Sequence, residues 1–265
     1  MVKNKLIALI YRVIALVVIS IGLARQFGFF HGYVSFYTFQ FYTIQSNLLA
    51  IIMFTMLIPC NVNGLREGIR GSAVYFTRFR MVCSVNLLLT FFVFWLLLAP
   101  NLPIFYLLSI DNMLIHLIAP LLCLIDYILF SETGKLKYRD AYFTCIFPYI
   151  YSTSAIIAGY IGFNYGARFV SKKYLSSEIV GSYWVPRRAP YFFLDFDEIG
   201  ATVLLYIAGL VVFLLLLGHA FYLLDKKMQK KHMLINGDTD IVNPPPTRLS
   251  KRMIGLLALV ITVPA

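Results

Sequence analysis

Long apolar runs alternate along the chain with short polar ones. Reading from the N-terminus, the apolar windows fall at about 6–24, 38–59, 81–99, 110–130, 142–163 and 200–224, each separated from the next by polar, charged or Gly/Pro-containing residues. The hydrocarbon core of a bilayer is about 30 Å thick and asks for roughly 20 apolar residues per crossing helix. The pattern therefore predicts an all-α fold, a polytopic membrane bundle of about six transmembrane helices. The first window is longer than the apolar core of a usual signal peptide and no A-x-A site follows it, so it reads as an uncleaved first helix.

Composition agrees with this pattern: 60% of residues are hydrophobic and 13% charged, where soluble domains carry about 25% charge. The formal net charge of +11 on a soluble surface would suggest nucleic acid, but its placement excludes that partner. Lys3 and Lys5, then Arg66, Arg70, Arg78 and Arg80, then Lys135, Lys137 and Arg139, then the tail from Lys226 fall on alternate connections. This is the positive-inside pattern. The opposite connection from Pro100 to Ser109 has no charge and the first has only Arg25. The stretch 164–199 carries Arg168, Lys172, Lys173, Arg187 and Arg188, which weakens the asymmetry without reversing it. The expected location is the cell membrane with the N-terminus cytoplasmic, and membrane lipids are the expected partners.

Six crossings leave little room for other domains. Residues 1–225 form the expected transmembrane domain, and 226–265 a cytoplasmic polar linker with a short apolar end. The stretch 164–199, rich in aromatics, Gly and Pro, is expected to fold over the outer mouth. The linker contains Asn236-Gly237 and Pro244-Pro245-Pro246. Met253 to Ala265 is too short an apolar run to span a bilayer, and lies in the interface or begins a further helix. Cys60, Cys83, Cys123 and Cys145 show no close-spaced pair, so no zinc or redox motif is present. No metal or organic cofactor is expected.

The informative residues are the polar ones inside apolar windows, because an ionisable group in hydrocarbon is costly and marks a site or an internal pair. They are Arg12, Asp126, His116 and His219, with the string Thr43, Gln45, Ser46 and Asn47. At a rise of about 1.5 Å per residue, Thr43 lies roughly 8 Å and His116 roughly 9 Å below the outer boundary, each on a helix entering from outside. The two share one level, with Asp111 and Asn112 a turn closer to the surface and placed to orient the imidazole. Asp126, Arg12, His219 and Asn86 form a second layer near the inner boundary. Its simplest role is a structural polar pair of Arg12 and Asp126, with a proton or ion pathway as the alternative. For the outer layer the alternatives are interhelical hydrogen bonds, worth about 0.6 kcal/mol each, or a reactive site.

Three segments carry a resemblance: Phe41-Tyr42-Thr43-Ile44-Gln45-Ser46-Asn47-Leu48-Leu49, the run from Asp111 to Asp126, and Ala189-Pro190-Tyr191-Phe192-Phe193-Leu194-Asp195. Together they resemble a bacterial predicted six-transmembrane family, similar in turn to the eukaryotic androgen-induced-gene family of membrane threonine hydrolases. The resemblance implies an intramembrane hydrolase of fatty acid esters, with Thr43 as nucleophile and His116 as the assisting base. A hydroxyl needs such a base to become a nucleophile. Gln45, Asn47 or Asn112 are the candidate donors to substrate or oxyanion. The alternatives are a transporter, for which Pro120 and Pro148 are the only features comparable to helices broken near the midplane, and a non-catalytic protein that binds lipid or a partner.

The charge pattern makes a prediction about topology. Reporters fused after Arg70, after Lys137 and after Lys231 should read as cytoplasmic, and one near Pro103 as external. A cytoplasmic signal near Pro103 would overturn the orientation.

Overall fold

A computed structural model of the chain describes residues 4–32, 34–67, 75–131, 133–173 and 179–236. Within them are six helices long and apolar enough to cross a membrane. These are α1 (Lys5–Gln26), α2 (Tyr42–Arg66), α3 (Thr77–Leu98), α4 (Ile110–Phe130), α5 (Tyr138–Tyr160) and α6 (Thr202–Asn236). The protein is a multipass membrane protein with an all-α membrane part. Pro244 to Pro246 and the apolar run from Met253 lie outside the described residues.

The described residues divide into two compact units, one of those up to Pro148 together with Leu214 to Asn236, the other of those from Tyr149 to Phe213. In the first, α1 packs on α2 and α4, and α3 packs on the same two helices, so four helices close a ring. α1 starts where the Asn4 side chain accepts from the amides of Leu6 and Ile7 at 2.9 and 3.2 Å. Its buried face repeats at helical spacing: Ala8, Arg12, Ala15, Ile19, Gly22. Small residues there allow close approach between membrane helices. A Cβ on Gly22 would stand 3.1 Å from Leu114 Cβ and 3.2 Å from Ile115 Cγ2, which fixes how near α1 comes to α4. The opposite face leaves Ile10, Val13, Ile14 and Val17 exposed, as lipid contact requires.

Two helices carry π-helical turns, at Phe94–Leu98 in α3 and Leu114–Ile118 in α4. α6 does not stop at the apolar window but continues through the lysines to Asn236. That segment has no Gly or Pro before Gly237 and is made largely of helix-favouring Lys, Gln, Met and Leu. Asp225 on α6 accepts from the amides of Gly134 and Leu136, holding the connection between α4 and α5.

In the second unit the connection 164–199 contains an element that counting apolar windows did not anticipate. β1 (Ala167–Lys173) and β2 (Ile179–Pro186) pair antiparallel, Ala167 opposite Pro186, with an irregularity between Ser171 and Lys173. After the hairpin, the buried Asp195 side chain accepts from the amides of Arg188 and Asp197, both at 3.0 Å, and caps the short helix Phe196–Ile199. Tyr191 and Phe193 stack beside it with ring centroids 5.1 Å apart.

Candidate functional site

The first turns of α2 concentrate polar side chains, and helical spacing of four distributes them between two neighbours. Tyr42 and Ser46 face α3: the Tyr42 hydroxyl donates to Asn86 Oδ1, and Ser46 Oγ lies 2.8 Å from Thr90 Oγ1. Thr43 and Asn47 face α4. Thr43 Oγ1 lies 3.2 Å from His116 Nε2, and Asn47 Nδ2 donates to the Ile115 carbonyl at 3.2 Å and to the Thr43 carbonyl at 2.8 Å. Asn86 therefore belongs with this layer through Tyr42, not with the Arg12 layer.

His116 sits in the π-turn of α4, which places the Ala119 amide on the Leu114 carbonyl. Four residues beyond His116 stands Pro120, which has no N–H, so a carbonyl of this turn has no backbone donor whichever helical register it follows. Side chains take over. Asn47 supplies the Ile115 carbonyl, and Trp95 Nε1 donates to the His116 carbonyl at 3.3 Å. Phe94, at the start of the α3 π-turn, stacks on the imidazole with centroids 3.7 Å apart. His116 Nδ1 lies 3.3 Å from the Asn112 carbonyl. A carbonyl only accepts, so in the neutral ring Nδ1 carries the proton and Nε2 offers its lone pair to the Thr43 hydroxyl. Both residues are almost closed off, Thr43 at 9% and His116 at 6% exposure.

The amides expected as donors are engaged. Gln45 Nε2 donates to Phe39 O at 3.1 Å, Asn112 Nδ2 to Leu107 O at 2.9 Å, and Asn47 as above. Asp111 does not reach the imidazole. It pairs instead with Arg25 and with His31, at 2.9 Å from its Nε2, while Gln26 Nε2 donates to its backbone carbonyl at 3.1 Å. Tyr106, just before α4, has its phenol pKa raised by burial and next by the Asp111 charge.

The other layer is built on Asp126. Arg12 Nε meets Asp126 Oδ1 at 2.9 Å, and Arg80 holds Oδ2 from Nε at 2.9 Å and from Nη2 at 2.5 Å. Arg80 also donates to the carbonyls of Asp126 and Phe130, and Arg12 Nη1 to Asn61 Oδ1 at 2.8 Å. All three charged side chains are buried. The apolar window that starts at 81 leaves Arg80 in the charged connection, yet α3 begins at Thr77. The available signal was its spacing: Arg80 shares a helix face with the buried Cys83, Ser84 and Leu87. His219 does not join Arg12 and Asp126. Its Nδ1 lies 2.7 Å from the Leu215 carbonyl and its ring packs beside Tyr138, 4.4 Å between centroids.

Comparison of the chain with family models, with curated proteins and with solved structures gives no match.

The charge count of the triad orders its mutants. Asp126→Leu takes the shared carboxylate from two buried guanidinium groups and should be the severest single change, at about 3–5 kcal/mol. Arg12→Leu leaves Arg80 and Asp126 as a neutral pair and should cost least. Arg12→Leu with Asp126→Leu should not rescue, because Arg80 stays charged and unpaired, whereas adding Arg80→Leu should recover stability. Thermal melting in detergent measures the series; rescue by the double change alone would show that Arg80 is not part of the unit.

Proposed function

We propose that the protein is an intramembrane hydrolase of lipid esters. The observation that carries this reading is the Thr43 hydroxyl placed on the lone-pair nitrogen of an imidazole whose tautomer the Asn112 carbonyl sets. That is the relation a hydroxyl nucleophile needs with its base, with a third group orienting the base. The resemblance of the α2 and α4 segments to the threonine hydrolases of membranes supports the same roles, and the charge pattern supports a cell-membrane protein with its N-terminus in the cytoplasm.

In the proposed reaction Thr43 Oγ1 attacks the ester carbonyl carbon while its proton passes to His116 Nε2. The carbon–oxygen bond to the alcohol then breaks, and the departing oxygen takes that proton. Water attacks the acyl-threonine, giving its proton to His116, which returns it to Thr43 as the fatty acid leaves. No metal or organic cofactor enters this scheme. Charge on the carbonyl oxygen needs donors, and each amide nitrogen nearby already donates to a backbone carbonyl. Gln45 and Asn112 are the donors this scheme uses, since each amide nitrogen gives one of its two hydrogens, to Phe39 O and to Leu107 O, whereas Asn47 has given both.

Those occupied amides favour a second reading, a non-catalytic lipid-binding protein in which Thr43 and His116 form an interhelical hydrogen bond. Fluorophosphonate labelling and release of fatty acid from ester-doped vesicles separate the two. Under the hydrolase reading Thr43→Ala and His116→Ala each lower turnover by about 10²–10⁴-fold or more, and the double mutant is hardly worse than either single because the groups act as a unit. Loss of the oxyanion donor, by Gln45→Leu or Asn112→Leu, costs about 10²–10³-fold. A wild-type protein that neither labels nor releases acid across several chain lengths, with small additive losses of stability in the mutants, would decide for the second reading.

A further inference from the structure

Two connections leave the first unit at one end, from α1 to α2 and from α3 to α4, and both expose large apolar side chains where an aqueous loop would carry polar ones. Phe30 and Phe36 are 58% and 64% exposed in the first, and Ile104, Phe105 and Leu108 are 68%, 77% and 65% exposed in the second. The connection from α4 to α5 is different in kind, since its described exposed residues, Lys135 and Lys137, are charged, and the exposed Tyr138 and Arg139 that follow at the start of α5 both carry polar tips.

The two apolar connections are stitched into one rim. Asp111, at the start of α4, holds Arg25 and His31 from the first connection and its edge. Many of their backbone amides are paired within the chain, which is what a water-poor environment demands. In the second connection the amides of Leu102, Tyr106, Leu107, Leu108 and Ser109 all donate to carbonyls of the same short segment. In the first, the amides of Phe27, Gly28, Phe29 and His31 donate to carbonyls just before them, and Ser35 folds back to Phe27 O at 2.9 Å. Phenylalanine, isoleucine and leucine have no polar tip to turn toward water, so their exposure favours insertion over mere contact.

We infer that this rim is seated in the acyl and headgroup boundary of the leaflet on its side of the membrane. The partner it fits is the lipid surface itself. The rim connects to the Thr43 and His116 pair through Asn112, whose side chain donates to the Leu107 carbonyl and whose own carbonyl faces His116 Nδ1. Resting on the hydrolase reading, the inference adds that the ester comes from the leaflet that holds the rim.

Spin labels test the seating without any turnover, so its failure and that of the hydrolase reading are separable. In full-length protein in nanodiscs, with half-buried Cys145 replaced by Ala and the other three cysteines buried, a nitroxide is placed by Phe30→Cys or Phe105→Cys. Val13→Cys on the lipid face of α1 and Lys137→Cys serve as references for lipid and water. Both rim labels should collide with oxygen in preference to a water-soluble nickel chelate, as the Val13 label does. Labels as open to the chelate as that at Lys137 would overturn the inference. So would labels shielded from both, which would mean that a second copy or another protein covers the rim. One label in lipid and the other in water would refute a single rim.

Discussion

In hydrocarbon a carbonyl that its own helix leaves without a donor must find one on another helix, and Pro120 creates that need inside α4. The chain answers with two side chains from two neighbours, Asn47 on Ile115 O and Trp95 on His116 O. Those bonds bring α2 and α3 onto one turn, and Gly22 lets α1 close on the same turn from the other side. The place where Thr43 meets His116 is thus a consequence of satisfying the backbone. Asn47 lies one turn from Thr43 on α2, so the bond that secures the helix also delivers the hydroxyl to the imidazole.

The buried charges divide the work differently. Asp126 gathers Arg12 from α1 and Arg80 from α3 onto α4, so three helices meet at a carboxylate. Among the described residues the three charged side chains sum to one positive charge, and Arg80 spreads its guanidinium over the carbonyls of Asp126 and Phe130 as well. Every member leans on the others, as expected where an uncompensated buried charge costs more than the pair returns. This layer ties α1 and α3 to α4 through one carboxylate, and the Thr43 layer ties α2 to α4 through a hydroxyl and an imidazole.

Much of this was legible in the chain. Window length gave six helices because hydrocarbon thickness is a hard constraint, and helical rise put Thr43 and His116 at one depth. The same arithmetic failed for His219 and Asn86, since depth says nothing of rotation about the helix axis; Asn86 turns to Tyr42, and His219 to Tyr138. Arg80 was hidden by a boundary drawn at the first apolar residue, although helices extend past their apolar windows. The hairpin of 167–186 escaped because a search for long apolar runs does not register a β-branched and aromatic segment such as Ile179–Pro186. The π-turn is a further case: Pro120 announces a carbonyl in need, but which side chains answer depends on neighbours distant in sequence.

The central claim is that Thr43 donates to a His116 ring whose proton sits on Nδ1. Nitrogen-15 solid-state NMR of the histidine-labelled protein in lipid measures this directly. The chain has four histidines, so the His116 signals are those lost in His116→Asn. The account predicts a protonated Nδ1, a bare Nε2 shifted by an accepted hydrogen bond, and a change in the Nε2 shift on Thr43→Val. A protonated Nε2, or an Nε2 shift indifferent to removal of the Thr43 hydroxyl, would contradict it.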